Sequence, residues 1–247
     1  MYQIGFVPDM LEDGLSYPIR GDWIGRIVIG GVLGLLSVLV VPAFLVVGYL
    51  VRVLEKTIGG DEVPPEFTDW GDLLAKGLIG TIITVAYTVL PVVAYALVVA
   101  VVGGTSGALG GDVGALVGLV GLLLALAFIP VLFLVYYAVP AALSAYAARG
   151  ELSAAFDADL LKPALLSTEY LVAVLMPIVV AVVTWVVTAV LAVTVVGLLL
   201  VPFVQFYGQV AVFRMFGSAF ATVNDRIGGG PAGGEAVTVD DDVGTAI

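Results

Sequence analysis

The chain has 247 residues, of which 61% are hydrophobic, and its formal net charge is −11. It contains no cysteine and no histidine, which excludes disulfides, iron–sulfur clusters, imidazole catalysis and the usual zinc sites, and no other cofactor is expected. So acidic a surface repels nucleic acid and excludes it as a partner.

The composition also indicates that the protein is surrounded by lipid. Ordinary globular domains are about 45–50% apolar, and the mean hydropathy here is +1.17. Four stretches lack charged side chains, and each is long enough to cross a hydrocarbon core of about 30 Å; they cover residues 27–51, 77–111, 113–148 and 170–213. The predicted fold class is therefore all-α, a polytopic membrane helical bundle of about six transmembrane or re-entrant helices with short interfacial amphipathic helices.

The first stretch, 27–51, permits two topologies. It forms either one tilted crossing or two short legs joined by a turn at Pro42. Basic residues collect in cytoplasmic loops. A turn at Pro42 places all nine lysines and arginines on one side, whereas a single crossing moves Arg20 and Arg26 to the other. We therefore expect a hairpin, or a re-entrant half-crossing in its second leg, with both termini on the cytoplasmic side of the cell membrane.

A polar segment, VPPEFTDWGDLLAKG at residues 63–77, interrupts the apolar pattern. Asp69 is placed to act as a helix N-cap, and Trp70 begins an apolar stripe at helical spacing. The segment therefore predicts an amphipathic helix in the membrane interface, with its indole at headgroup depth. Two further interfacial elements are predicted at 8–23 and 151–170.

The later stretches predict two helical hairpins. A tight glycine-rich loop at 103–112 divides the first. Residues 170–213 would be about 65 Å long as one helix, which is twice the membrane thickness, so a turn is expected near Gly197 and Pro202. The predicted apolar helices are 24–40, 43–58, 78–102, 113–147, 170–196 and 202–220, all within one membrane domain, 1–222, followed by a tail, 223–247. The tail is acidic and glycine-rich with little to bury, so disorder is expected there.

Three segments carry a resemblance to a known family: YPIRGDWIGRIVIGG, GYLVRVLEKTIGGDEVPPEFTDWGDLLAKG and FYGQVAVFRMFGSAF. They resemble the archaeal and bacterial membrane family called domain of unknown function 4013, over roughly residues 9 to 222. The resemblance implies a compact bundle of about six helices and no assigned activity. Haloarchaeal members of the family are the most similar in their excess of acidic over basic residues. Acidic, lysine-poor loops also suit a salt-rich cytoplasm, where screening lowers self-repulsion, although short acidic loops and one acidic tail produce the same balance by addition.

Polar side chains lie inside the last apolar stretch. Gln205 and Gln209 are four residues apart and share one helix face. They line a polar passage, bind a lipid headgroup, or make an interhelical hydrogen bond worth about 0.6 kcal/mol. Similar threonine stripes occur at Thr81, Thr84 and Thr88, and at Thr184 and Thr188. Threonine hydroxyls in such positions usually bond to carbonyls of their own helix, so we expect the threonines to be structural.

Two other groups of residues have predicted structural roles. Arg52, Trp70 and Arg214 are candidate interfacial anchors, because they lie at the predicted inner helix ends. The four-residue spacing of three glycines predicts close helix packing, either within the bundle or between subunits; these glycines are Gly110, Gly114 and Gly118.

The four stretches contain no charged side chain, although ion-coupled transporters and proton pumps usually place one near the midplane. No catalytic or metal-binding constellation is found, so the protein is not expected to be an enzyme, with an interfacial lipid-modifying enzyme as the remaining enzymatic alternative. The preferred prediction is a non-enzymatic membrane accessory or scaffold protein. The alternative is a transporter or channel for a neutral or lipid-like solute. Expected partners are membrane lipids, other membrane proteins or a second copy of the chain.

Overall fold

A computed structural model describes residues 3–226, and within that range the chain forms eight α-helices and no strand. The helices are α1 (Gln3–Ser16), α2 (Trp23–Leu35), α3 (Val40–Ile58), α4 (Trp70–Leu109), α5 (Gly111–Arg149), α6 (Ala158–Leu165), α7 (Thr168–Leu191) and α8 (Val195–Arg226). Short 3-10 turns occupy Tyr17–Ile19, Leu36–Val38 and Leu152–Phe156. The all-helical prediction is confirmed.

Four helices, α4, α5, α7 and α8, are long and apolar enough to cross a membrane. A fifth candidate is the pair of segments Asp9–Ile19 and Trp23–Val38, which are bent by 86° relative to each other. Helix α2 has only 13 residues, and the last turns of α3 carry Arg52, Glu55 and Lys56. The multi-pass character predicted from hydropathy is therefore supported by four or five spans.

The first apolar stretch divides into two helices, but the turn lies earlier than Pro42. Helix α2 ends at Leu35, and the 3-10 turn and Leu39 lead directly into α3. Pro42 lies in the first turn of α3, where the N–H that proline lacks would have had no helical partner. Both legs pack closely on α8. A Cβ on Gly30 of α2 would meet Phe206 of α8, and a Cβ on Gly217 of α8 would meet Thr57 of α3.

These contacts define the direction of the two legs. Gly34, farther along α2 than Gly30, approaches Pro202, which comes before Phe206 in α8. Helix α2 therefore runs antiparallel to α8. In α3, Tyr49 contacts the Phe206 ring and Thr57 meets Gly217, so α3 runs parallel to α8. The two legs are antiparallel to each other, as a hairpin requires.

Helix α4 differs from the sequence prediction at both ends. It begins at Trp70 and continues without a break into the apolar stretch, so the predicted separate interfacial helix is its first turns. It also runs through most of the predicted loop, and the chain reverses only at Gly110 and Gly111, whose φ angles are 59° and 55°. Glycine adopts a positive φ without the steric penalty of a Cβ. The earlier glycines of the predicted loop stay helical, because a backbone in lipid has no water to bond with and satisfies its hydrogen bonds within the helix.

The turn between α7 and α8 also lies earlier than Gly197 and Pro202. Helix α7 ends at Leu191, and α8 begins at Val195. The Thr194 hydroxyl accepts a hydrogen bond from the Gly197 N–H at 2.9 Å, which satisfies a donor in the first turn of α8. A local cap therefore ends the turn sooner than the glycine and the proline indicate. The predicted tail, 223–247, overlaps the last turn of α8, and residues 227–247 lie outside the described range.

Helix α8 lies at the centre of the bundle and packs against α1, α2, α3, α5 and α7. Helices α4 and α7 begin at the same end of the bundle at which α3, α5 and α8 finish. All nine lysines and arginines lie near this end, which we call the basic end. Helices α4 and α5 are each about 60 Å long. Buried positions in α4 end at Ile83, and in the second half of α5 they begin at Ala141. The distal half of this hairpin therefore extends beyond the packed core.

Candidate functional site

The irregular segment 59–69 at the basic end is held in place by arginine side chains. Arg26 donates to the Pro64 carbonyl at 2.7 Å, and Arg52 donates to the Thr68 carbonyl at 2.7 Å and to the Asp72 carboxylate at the same distance. Arg26 and Arg52 are only 6% and 8% exposed. Because the segment has no ladder or helix to satisfy its carbonyls, these guanidinium groups supply the missing donors.

The predicted anchors therefore lie in different environments. Arg52 is directed toward segment 59–69 and Asp72. Arg214 donates to the Asp13 carboxylate at 2.8 Å and to the Asp61 carbonyl at 2.8 Å, and its guanidinium lies 4.6 Å from the centre of the Tyr17 ring. Trp70 remains half exposed and stacks on Phe67.

A carboxylate joins the N-terminal segment to this end. Asp13 accepts hydrogen bonds from Arg20 at 2.6 Å and from Arg214 at 2.8 Å. It lies in α1, outside the four long spanning helices. Partial burial raises the pKa of Asp13, but the hydrogen bonds and charges of Arg214 and Arg20 outweigh it, so the net pKa lies below the ordinary value. Asp13 is therefore held as a carboxylate between two guanidinium groups.

The predicted glutamine pair lines an open cavity at the surface of the bundle, where both side chains are exposed. Gln205 and Gln209 project from α8 into a space of about 390 Å³ that is bounded by α5, α7 and α8. Thr184 and Thr188 of α7 line the same space, and Tyr136 of α5 stands at its edge. The polar stripes of α7 and α8 therefore face one cavity, which we call the groove. Sequence periodicity identified each stripe but did not pair them.

Two contacts between α7 and α8 set the register of the groove. The Gln205 amide donates to the Thr188 hydroxyl at 3.4 Å, which is long for a hydrogen bond. One turn further on, a Cβ on Gly208 would lie 3.0 Å from the Thr184 hydroxyl. Gly208 therefore lets the threonine face of α7 lie close beside the glutamine face of α8.

The groove extends across α8 toward α2 and α3. Gln205 and Gln209 also line a second cavity of about 320 Å³, together with Gly34, Ser37 and Val46. The two glutamines thus form a polar ridge between adjacent cavities. No charged side chain lines either cavity within residues 3–226.

The threonines of the groove behave differently from those of α4. Thr81, Thr84 and Thr88 each donate to a carbonyl one turn earlier in α4, at 2.7, 2.9 and 2.7 Å. This is the structural role predicted from the sequence. In contrast, Thr184 and Thr188 donate no hydrogen bond to any described residue. Gln209 likewise has no hydrogen-bond partner in the described part of the chain.

These polar groups lie midway along the apolar part of a helix that is long enough to cross a membrane. Gln205 lies ten residues after the start of α8 at Val195 and nine before Arg214. Its backbone is therefore about 15 Å from one end of this stretch and about 14 Å from the other. An amide or hydroxyl without a partner costs roughly 2–7 kcal/mol in an apolar medium.

A known family matches the central part of the chain. The family described as "Protein of unknown function (DUF4013)" matches residues 35–193, from the α2–α3 turn to the α7–α8 turn. The chain belongs to this family. No curated protein and no solved structure is significantly similar to it. The family description carries no activity, and Gln205 and Gln209 lie beyond the matched residues.

Within the DUF4013 match lie two glycines that sequence reasoning did not single out. A Cβ on Gly48 would lie 1.8 Å from the Leu73 carbonyl oxygen, and a Cβ on Gly77 would lie 1.8 Å from the Phe44 carbonyl oxygen. The backbones of α3 and α4 therefore touch at both glycines. Gly48 and Gly77 are the first and last residues of the longest segment that resembles the family. That resemblance was the sequence signal that could have identified them.

The predicted glycine stripe of α5 packs mainly on α4. A Cβ on Gly114 would lie 2.6 Å from the Ser106 carbonyl oxygen, and one on Gly118 would lie 3.1 Å from the Ser106 hydroxyl. Gly110 belongs to the turn instead. In this structure the contact is within the bundle, which was one of the two predicted alternatives.

Proposed function

We propose that this DUF4013 protein is a non-enzymatic membrane protein that holds a neutral, lipid-like solute in the groove and carries it within the bilayer. The observation that supports this function best is a set of polar side chains with few partners: Thr184 and Gln209 form no hydrogen bond with a described residue, and the Thr188 hydroxyl accepts only the long contact from Gln205. These groups converge on one cavity at membrane depth. A solute that accepts and donates hydrogen bonds would supply the partners that surrounding lipid lacks.

The chemistry of the groove favours a neutral solute. Phosphate and carboxylate groups are bound most effectively by arginine, lysine or clustered backbone N–H groups. The groove presents uncharged amides, hydroxyls and aromatic rings. Its side is open, which suits a molecule that enters laterally from the bilayer with an apolar chain remaining in lipid.

The proposal includes the topology in the membrane. Six membrane elements are formed by α4, α5, α7, α8 and the α2–α3 hairpin, with both termini in the cytoplasm of a cell membrane. The placement of all nine basic residues at one end supports this orientation. The acidic balance of −11 supports a salt-rich, haloarchaeal-type cytoplasm.

Photolabelling with a neutral lipid tests the function. A diacylglycerol with a diazirine in one acyl chain would be activated in nanodiscs containing the protein, and the labelled residues would be mapped by mass spectrometry. We expect labelling to concentrate on α7 and α8 beside the groove and to fall about tenfold in the Gln205→Leu/Gln209→Leu variant. Labelling of the distal α4–α5 hairpin is the internal control and should not change. Equal labelling of the groove and the hairpin in the unmodified protein would contradict the proposal.

A scaffold function is the second candidate, and the distal α4–α5 hairpin favours it. A Cβ on Gly103, Gly104 or Gly107 would meet nothing within 4 Å, so this face is open to close approach by another helix. Because the chain has no cysteine, Gly107→Cys introduces a single crosslinking site. Crosslinks to a second protein from this position in native membranes, but not from Val186→Cys on α7, are expected for a scaffold. A chain that remains uncrosslinked from both positions would exclude this candidate.

A further inference from the structure

We propose that the outward side of α4, near the start of this helix, docks a membrane helix of a partner protein that carries lysine or arginine residues at the basic end. The docking surface consists of Trp70, Leu74, Leu78 and Val85, and we call it the α4 face. None of these residues lines the groove, so the surface is separate from the site of the proposed function. Two features support the docking: the apolar face itself and the carboxylates that adjoin it.

The α4 face packs on no other helix within residues 3–226. Its four side chains recur at helical spacing, and each is between 37% and 49% exposed. The opposite side of the same turns is buried against α3, with Leu73 fully enclosed and Gly77 in contact with the α3 backbone. The rotation of α4 is therefore fixed, and the face is directed away from the bundle. An apolar face of this kind accepts either lipid or another helix, and the adjoining charges distinguish the two.

Arginines hold the residues that precede this face through their main chain. Three guanidinium groups donate to carbonyl oxygens of segment 59–69: Arg20 to Glu62 at 3.2 Å, Arg26 to Pro64 at 2.7 Å and Arg52 to Thr68 at 2.7 Å. The carboxylates with which Arg20 and Arg52 pair, Asp13 and Asp72, lie outside the segment. The arginines therefore fix the main chain of the segment and do not pair with its acidic side chains.

Three carboxylates of the segment remain unpaired. The side chains of Glu62, Glu66 and Asp69 are exposed and form no hydrogen bond or ion pair with any residue in the described part of the chain. Asp69 directly precedes Trp70, whose ring stacks at 5.9 Å on Phe67, the neighbour of Glu66 in the chain. The α4 face therefore adjoins negative charges at the basic end. The main chain that carries them is already ordered, which lowers the entropy that binding removes.

These charges favour a basic helix over anionic lipid. Carboxylates repel anionic headgroups and attract lysine and arginine. Membrane helices commonly carry basic residues just outside the bilayer on the cytoplasmic side, where the topology proposed above places segment 59–69, and this class of partner rests on that topology. An arginine beside Trp70 would also gain a cation–π contact with the indole. A membrane helix with basic residues at this end therefore matches both the apolar face and its acidic border.

Energy transfer in vesicles tests the docking. The chain has no cysteine, so Ala75→Cys, at an exposed position of α4, carries a single donor dye. The probe is a synthetic transmembrane helix of leucine and alanine with two lysines at each end and an acceptor dye. Protein and probe would be reconstituted together in phosphatidylcholine vesicles, and lysines at both ends make the result independent of the orientation of the protein.

The same helix with glutamates in place of the lysines gives the transfer expected from random proximity. We expect transfer to the lysine probe to exceed this level. In the variant Glu62→Gln/Glu66→Gln/Asp69→Asn, the apparent association should weaken about tenfold, because three exposed charge pairs are lost. Equal transfer to the two probes in the unmodified protein would overturn the proposal.

Matched variants separate docking from a general effect of charge. Asp9→Asn/Asp159→Asn/Asp225→Asn removes three exposed carboxylates from outside segment 59–69 and should leave transfer unchanged. Equal losses in the two triple variants would show that only net charge acts and would overturn the proposal. Glu62→Lys/Glu66→Lys should reverse the preference in favour of the glutamate probe. Absence of this reversal in a protein with unchanged circular dichroism would contradict docking at the α4 face.

Two further outcomes identify the contact surface and the occupant. Trp70→Ala leaves the charges in place and should also weaken transfer to the lysine probe, and an unchanged value would exclude the α4 face from the contact. Transfer between two labelled copies of the protein, without transfer to the lysine probe, would assign the face to a second copy and overturn the proposal. None of these substitutions touches the groove, so photolabelling there and energy transfer here succeed or fail separately.

Discussion

Replacing Gly77 by alanine tests the packing of α3 on α4. The added Cβ would lie 1.8 Å from the Phe44 carbonyl oxygen and 2.6 Å from its carbonyl carbon. Since the neighbour is backbone rather than a flexible side chain, the two helices must separate by roughly 1 Å. Overpacking of this kind typically costs about 1–3 kcal/mol. The better helix propensity of alanine returns at most about 1 kcal/mol. We therefore expect a net loss of about 1–2 kcal/mol in the free energy of unfolding.

The same helix offers a matched control. Gly71 is also in α4, and a Cβ there would meet nothing within 4 Å. Gly71→Ala should leave stability unchanged or raise it by up to about 1 kcal/mol. The measurement is unfolding by increasing mole fraction of sodium dodecyl sulfate in mixed micelles, followed by circular dichroism. A Gly77→Ala protein as stable as Gly71→Ala would refute the backbone contact.

The reciprocal glycine extends the test. Gly48→Ala should cost a similar amount, because its Cβ would lie 1.8 Å from the Leu73 carbonyl oxygen. Both substitutions act on one helix crossing, so the double variant should lose less than the sum of the two single losses once the helices have parted. Strict additivity would show that the two glycines act independently.

Three further predictions concern the basic end. Arg52→Lys keeps the positive charge but removes the planar guanidinium group with its several donors. It should lower the free energy of unfolding by about 2 kcal/mol and speed amide exchange in segment 59–69; unchanged exchange would show that the guanidinium group is dispensable. Asp69→Gly should stabilise the protein by about 1 kcal/mol, because Asp69 has a φ of 50° and its side chain forms no cap; a lower unfolding midpoint would contradict this strain. The pKa of Asp13 is lowered in the folded state, so its contribution is present above the unfolded pKa of about 3.9 and is lost as pH falls through the folded value. Asp13→Asn should therefore flatten the acid limb of the stability profile below about pH 4, and an unchanged limb would assign it to other carboxylates.

The positions of the turns show where sequence reasoning was insufficient. Proline and glycine commonly end helices in water, yet Pro42 and Gly197 lie in the first turn of a helix here and Pro202 lies a further turn inside α8. The chain reverses instead at a short 3-10 turn and at residues 192–194, where the Thr194 hydroxyl caps α8. Within lipid, the backbone gains little by leaving the helix, so the caps and the helix crossings determine where a turn falls.

The candidate site was predictable only in part. Helical periodicity placed Gln205 and Gln209 on one face, and the structure puts them in one cavity. Periodicity did not show that Thr184 and Thr188 would face them, because that depends on how α7 crosses α8 at Gly208. The position of Arg52 near a predicted helix end suggested an interfacial anchor, and the structure adds that its side chain donates to a carbonyl of segment 59–69.

The amino-acid sequence alone determined that this chain is helical, has several helices apolar enough to cross a membrane, belongs to its family and carries its cations at one end. These properties follow from hydropathy, charge and residue order, each of which can be evaluated one segment at a time. The tertiary structure alone decided which polar stripes share a cavity, which threonines keep free hydroxyls and which glycines touch a neighbouring backbone. Those properties depend on the relative register of helices on either side of a turn, and the close packing that sets this register involves the whole bundle.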